Sequence, residues 1–294
     1  MTTIKAFVKS HPLLSFYALA FAISWGGLIM VVGGPSEIPG TGGRYETLLP
    51  IVGPVMIAGP AVAGLLMTGL LYGREGFRNL LTRMTRWRVG ARWWAVALLT
   101  GPLFMTAVLL VLSLTSPEFL SGIFTSEDKA TLLLFGIVAG VAVGIFEELG
   151  WTGFAMPRMR QRYGVLATGL IVGVLWGAWH FLTTFWSSGT SSGAISLAVL
   201  LPGVLFTTVG VLPAFRVLMV WVYDRTGSLL VAMLMHAGLS AFTVILAVPP
   251  TIALVPGLAY DLVLAAALWV FVAAVAVANH GHLTRQPPLR RRVA

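Results

Sequence analysis

A chain of 294 residues that is 57% hydrophobic and only 10% charged, with a mean hydropathy of +0.91, lies outside the range of soluble globular domains and inside that of polytopic membrane proteins. Its formal net charge of +9 comes with no nucleic-acid-binding motif, so the basic excess points to a membrane surface and not to DNA or RNA. No cysteine is present, which excludes disulfides, thiolate metal sites and a thiol nucleophile and leaves the chemistry to His, Asp, Glu, Ser, Thr, Tyr or Lys.

Apolar runs of about 20 residues, the length a helix needs to cross about 30 Å of hydrocarbon, fall near 13–33, 49–72, 93–114, 131–155, 165–186, 194–215, 228–247 and 262–279. The expected fold is an all-α polytopic transmembrane bundle of about eight spans. The first run is too long for a signal-peptide core and lacks a small-x-small cleavage site, so it is expected to remain as a span. Residues 73–94 (GREGFRNLLTRMTRWRVGARWW) read as an amphipathic connection on anionic headgroups, with Trp87, Trp93 and Trp94 as interfacial anchors. The sixth run is interrupted by Pro202, Pro213 and Arg216, so seven or nine spans are also compatible. WSSGTSSG at 186–193 reads as a short loop, and neither a second domain nor an internal repeat is evident over 1–294.

With eight spans, Lys5, Lys9, the arginines from Arg74 to Arg92, Arg158, Arg160, Arg162, Arg216, Arg225 and the tail arginines Arg285, Arg290, Arg291 and Arg292 share one side. That is 17 of the 19 Lys and Arg, with Arg44 and Lys129 opposite. The positive-inside rule then puts both termini, including a basic tail over 281–294, in the cytosol, and the chain in the cytoplasmic membrane.

Only two of the ten acids, Glu147 and Glu148 in GIFEELGWTGFAMPRM, fall within an apolar span. An ionisable group at membrane depth costs several kcal/mol unless paired or hydrated. His180 in VLWGAWHFLTTFW and His236 in LLVAMLMHAGLSAF are likewise inside spans, whereas His11, His280 and His282 flank them. A lone membrane histidine is most often a helix-helix hydrogen-bonding residue, and a lone Glu pair suits a proton relay. Here, however, the fourth and fifth spans form a hairpin about the turn at 157–164, which brings Glu147 and His180 to one depth, and His236 lies eight residues along the seventh span from Ser228, about 12 Å in. The expected meeting point is a cytosol-facing cavity. One carboxylate and two imidazoles around a water can deprotonate it directly or through a bound divalent metal such as zinc, held by Glu147, His180 and His236. The chain lacks the HExxH spacing of one-helix zinc sites, and both mechanisms stay open. Adjacent helical residues point about 100° apart, so Glu147 and Glu148 cannot serve the same role.

EELGWTG at 147–153, a histidine in the next span and another in a later span together resemble the CAAX protease and bacteriocin-processing (CPBP) family of intramembrane proteases, which includes the CAAX prenyl endopeptidases. The resemblance covers about residues 130–245. In that family the motifs read EExxxR, FxxxH and HxxxN. It implies Glu147 as the base that activates water, Glu148 as its supporting partner, and His180 and His236 as residues that bind that water or stabilise the oxyanion. Ser240 stands where Asn is expected and can still donate a hydrogen bond to an oxyanion. Trp176 stands for Phe, and Thr152 for Arg, which removes a cation able to pair with Glu148 or with a substrate carboxylate.

The implied partners are a peptide or protein substrate, itself membrane-attached in the CAAX case, and the lipid bilayer. A non-catalytic immunity or binding protein is the competing reading, favoured by the absent Arg. A proton-coupled transporter is disfavoured, because the spans before 130 carry no interior charge.

Overall fold

The computed structural model describes residues 2–38, 44–120, 122–188, 190, 191, 193, 196–247, 254–281, 283 and 284. Among these there is no strand, and seven helical segments are long and apolar enough to cross a bilayer; an eighth, Leu229–Ile245, is apolar but only 17 residues long. The outward faces carry exposed Leu70, Phe135 and Val270, a disposition that water penalises and lipid tails do not. The protein is an all-α, multi-pass membrane bundle. The tail arginines Arg285, Arg290, Arg291 and Arg292, and His282, lie outside the described residues.

The order of elements is α1 (Thr2–Ser10), α2 (Pro12–Val32), α3 (Tyr45–Met84), α4 (Ala91–Ser113), α5 (Lys129–Gly150), α6 (Val165–Trp179), α7 (Phe181–Ser187), α8 (Leu197–Leu205), α9 (Leu212–Thr226), α10 (Leu229–Ile245) and α11 (Leu254–Ala278). Helix α5 continues through a π-helical turn, Trp151–Ala155, into Met156–Met159, and α8 continues through a second, Phe206–Val211, into α9. The sixth span therefore runs on to Thr226. Within α3 the chain bends at Gly73, whose φ of 55° and ψ of −142° suit glycine and strain any other residue. Beyond this bend lie Arg74, Arg78 and Arg83, where the sequence places the amphipathic connection. Of the three tryptophans expected at the interface, Trp87 is exposed, but Trp93 is buried edge-on against Trp221 with ring centroids 4.9 Å apart. Tertiary packing claims that ring because its apolar area gains more against α9 than at headgroup depth.

Two seams of small residues bring the site-bearing helices together. On α5, Gly136, Gly140 and Gly144 face α10: a Cβ on Gly140 would lie 2.5 Å from the Ala237 carbonyl oxygen, and one on Gly136 3.1 Å from that of Ala241. On α6, Gly169 and Gly177 face α9 and the turn before it, where Cβ atoms would reach the backbone of Val217 at 2.5 Å and of Thr208 at 2.7 Å. Bare backbone at these points allows the helix axes to approach closely, the usual device where helices cannot be driven together by exclusion from water. The α5 start is fixed by Asp128, whose carboxylate accepts the Thr131 N–H at 3.0 Å, and the α10 start by Ser228, which accepts the Val231 N–H at 3.2 Å and donates to the Arg86 carbonyl at 2.6 Å.

Replacing Gly140 by Leu should force α5 and α10 apart and lower stability by about 1–3 kcal/mol or more, as overpacking does. Gly26→Ala, where a Cβ meets nothing within 4 Å, should be neutral or mildly stabilising. Thermal unfolding in detergent checks both; equal melting temperatures for the two variants would contradict the seam.

Candidate active site

Glu147 and Glu148 end α5 side by side on the helix surface, and the structure gives them different surroundings. Glu148 has no exposed surface. Its Oε1 accepts from Arg216 Nη1 at 2.8 Å and from His236 Nδ1 at 2.7 Å, and its Oε2 accepts from Arg216 Nη1 at 2.9 Å and from the Thr152 hydroxyl. Arg216 comes from α9, is itself 1% exposed, and lies over the Trp176 ring with its guanidinium carbon 4.3 Å from the centroid. Three helices thus converge on one buried carboxylate.

Glu147 is 2% exposed and turns toward a cavity of about 750 Å³. Its Oε2 accepts two indole N–H bonds, from Trp176 at 2.8 Å and from Trp151 at 3.1 Å, while Oε1 has no hydrogen bond to a described residue. The indoles fix the carboxylate plane and leave one oxygen for the cavity. His236, with Nδ1 engaged by Glu148, presents Nε2 toward Glu147 Oε2 at 4.0 Å. His180 sits at the break between α6 and α7, and its Nδ1–H donates to the Trp176 carbonyl at 2.8 Å. In both rings the bond at Nδ1 places the proton there in the neutral form and leaves Nε2 as the basic nitrogen. Ser240, one turn beyond His236 on α10, also lines the cavity. Of the five site residues expected from sequence, Glu147, His180, His236 and Ser240 share this cavity, and Glu148 stands behind its wall.

Among the described residues no group of three or more His, Cys, Asp or Glu is arranged to hold a metal ion. Glu147 Oε2 is already occupied by two N–H donors, which leaves Oε1 as the oxygen open to a water or a metal, and zinc requires its protein donors within about 2.0–2.2 Å of a common point. As placed here, Glu147, His180 and His236 are not gathered into a three-ligand metal site.

The sequence pattern directs the cavity toward the basic side of the membrane. The structure differs: the lining residues Leu49, Thr184, Val199 and Asp261 lie toward the opposite helix ends, those next to Arg44 and Lys129. Counting residues from helix ends gives depth but does not show which side of the site is filled. Here Phe16, Trp151 and Phe154, all fully buried and with Phe16 centroids 5.5 and 5.3 Å from the other two, fill the basic side.

Residues 129–242 match the family model described as type II CAAX prenyl endopeptidase Rce1-like. A stretch of 73 residues, 25% of this chain, is 32% identical to "CAAX prenyl protease 2" of Methanococcus maripaludis and spans 26% of that protein's length. Over these residues the chain is similar to type II CAAX prenyl endopeptidases, in line with the resemblance carried by its motifs.

Arg216 is the residue that sequence reasoning misplaced. Set among the cytosolic-side basic residues, it is an intramembrane cation bound to Glu148. The available signal was a pair: an arginine inside the apolar run PAFRVLMVW, and a missing arginine at 152. Arg216 therefore occupies the electrostatic role that the motif gives to position 152, and Thr152 adds a hydroxyl donor in the space left. Trp151 and Trp176 were legible as aromatics but not as donors to Glu147.

Inserting Arg at position 152 should accordingly harm the protein. The site is 1% exposed, so Thr152→Arg should lower stability by about 1–3 kcal/mol through overpacking, with further loss from the cation of Arg216. The double variant Thr152→Arg, Arg216→Met should melt above Thr152→Arg alone; a higher melting temperature for Thr152→Arg than for the unmodified protein would contradict this assignment.

Proposed function

We propose that this protein is an intramembrane endopeptidase that hydrolyses a peptide bond with a water activated by Glu147 and His236. The observation that carries the reading is the pairing of a cavity-facing carboxylate, fixed by two indoles, with an imidazole nitrogen 4.0 Å away whose partner nitrogen is held by a buried, arginine-bound Glu148. Residues 129–242, which match the Rce1-like endopeptidase family model, contain all of these groups.

In this mechanism Glu147 accepts the proton of a water that attacks the scissile carbonyl, and then delivers it to the leaving amine. His236 Nε2 accepts a hydrogen bond from the same water and orients it, while the Glu148 carboxylate holds the proton on Nδ1 and so fixes the tautomer, as a buried Asp does in hydrolytic triads. The Ser240 hydroxyl lies on the cavity wall as a donor to the carbonyl oxygen as it becomes an oxyanion, and His180 Nε2, on the same wall, is an acceptor that can hold the attacking water. The substrate is a peptide or protein segment within reach of the bilayer. The membrane is the cytoplasmic membrane, with both termini in the cytosol, supported by the asymmetry of Lys and Arg.

Reconstituted in liposomes with a peptide library and read by mass spectrometry, the unmodified protein should release defined fragments. Glu147→Gln retains size but not proton acceptance and should lower turnover by about 10²–10⁴-fold, the loss typical of a missing general base, with little change in melting temperature. His236→Ala should be comparably damaging, and the two changes together should lose little more than either alone, because the groups act as a unit. Full cleavage by Glu147→Gln would overturn the mechanism, and a biological activity that persists with Glu147, Glu148, His180 and His236 all replaced would favour a binding protein.

A further inference from the structure

Among the described residues, the cavity lining runs from the site toward one set of helix ends. The walls are made by the early turns of α3 at Leu49 and Val52, by Thr184 of α7 and Ser188 just beyond it, and by Tyr260 and Asp261 of α11. Each of these lies between the site and the helix ends next to Arg44 and Lys129. In the other direction the described side chains are packed against one another. The Phe16, Trp151 and Phe154 rings are fully buried, and at the α3–α5 crossing a Cβ on Gly64 would come within 2.8 Å of the Gly150 backbone. Arg83 closes this end further by donating to the Gly153 carbonyl at 2.8 Å and to the Tyr223 hydroxyl at 2.9 Å.

The closed end is the basic one. Among the described residues, with Arg216 buried at the site, the other Lys and Arg lie toward that end except for Arg44 and Lys129. The charge asymmetry that orients a membrane protein therefore puts the closed end in the cytosol and the mouth on the opposite face. The mouth has a sign of its own. Among the described residues the cavity wall contains the carboxylates of Glu147 and Asp261 and no Lys or Arg, and Asp261 accepts a hydrogen bond from the Thr207 hydroxyl at 3.1 Å. A substrate carboxylate finds no Lys or Arg among the described wall residues, whereas a lysine, arginine or free amino group finds Asp261.

The geometry points to a cavity loaded from the non-cytosolic face by polypeptide segments that bring a basic group to Asp261. Any chemistry after binding rests on the peptidase reading, but the direction of loading and the charge preference do not. This substrate class is distinct from a cytosolic C-terminal tail ending in a carboxylate.

The absence of native cysteine makes the test direct. Leu49→Cys and Thr184→Cys should react with a membrane-impermeant charged maleimide added to intact cells, and Thr82→Cys, on the exposed basic stretch of α3, only after permeabilisation. Mouth cysteines that react only after permeabilisation or not at all, or a Thr82→Cys that reacts from outside, overturn the loading direction. In the second arm, an apolar peptide with one lysine should slow the labelling of Thr184→Cys. Asp261→Asn should weaken that protection by about tenfold, the scale of one charge-assisted bond, and the same peptide with glutamate should protect poorly. Equal protection by both peptides, or protection unchanged by Asp261→Asn, overturns the charge preference. Because Gly26→Ala lies away from the cavity, it serves as a folded reference for surface expression. Labelling from outside with no cleavage of any peptide would leave the loading direction standing and sink the peptidase reading alone.

Discussion

Everything at the centre of this bundle depends on keeping a carboxylate charged at membrane depth. Glu148 has no contact with solvent, and an ion in such a place is stable only when paired and hydrogen-bonded on all sides. Arg216 from α9, His236 from α10 and Thr152 from the π-helical turn after α5 supply those bonds. The same bonds fix where the helices stand relative to each other. Removing one partner leaves a buried charge, so the cluster sets a register as well as an electrostatic balance.

The glycine seams and the ion cluster are two halves of one arrangement. Side chains of ordinary size between α5 and α10 would hold His236 away from Glu148, and between α6 and α9 they would separate Trp176 from Arg216. Close backbone approach allows short, directional bonds between helices in place of a thick apolar layer. Glu147, one residue from the anchor, inherits its orientation and is then aimed by the Trp151 and Trp176 indoles. The result separates two adjacent acids into a structural one facing the helices and a chemical one facing the cavity.

Much of this was legible because ionisable residues stand out in an apolar sequence. Glu147, Glu148, His180 and His236 could be picked by position alone, and hairpin symmetry put Glu147 and His180 near one depth. The spans were legible for the same reason, and the second run ends at 72, one residue before the bend at Gly73. Arg216 was not, because an arginine that interrupts an apolar run looks like the end of a span; only the fold shows that it turns inward to a carboxylate 68 positions away. Trp93 misled in the opposite sense, since an interfacial tryptophan and a buried one have the same local sequence. The direction of the cavity was out of reach, because it depends on aromatic rings from α2 and the α5 extension that fill one side of the site, a packing fact with no periodic signature.

The most direct test of the account is a double-mutant cycle on the anchor, using thermal or denaturant unfolding of Glu148→Gln, Arg216→Met and the double variant in one detergent. Arg216→Met strands a buried carboxylate and should cost about 3–5 kcal/mol, the range for breaking a buried ion pair from one side. The double variant should then be markedly less damaged than the sum of the singles, with a coupling at the upper end of the roughly 0.5–3 kcal/mol found for directly interacting residues. Additive losses, with no coupling between the two positions, would contradict the claim that this ion pair holds the site together.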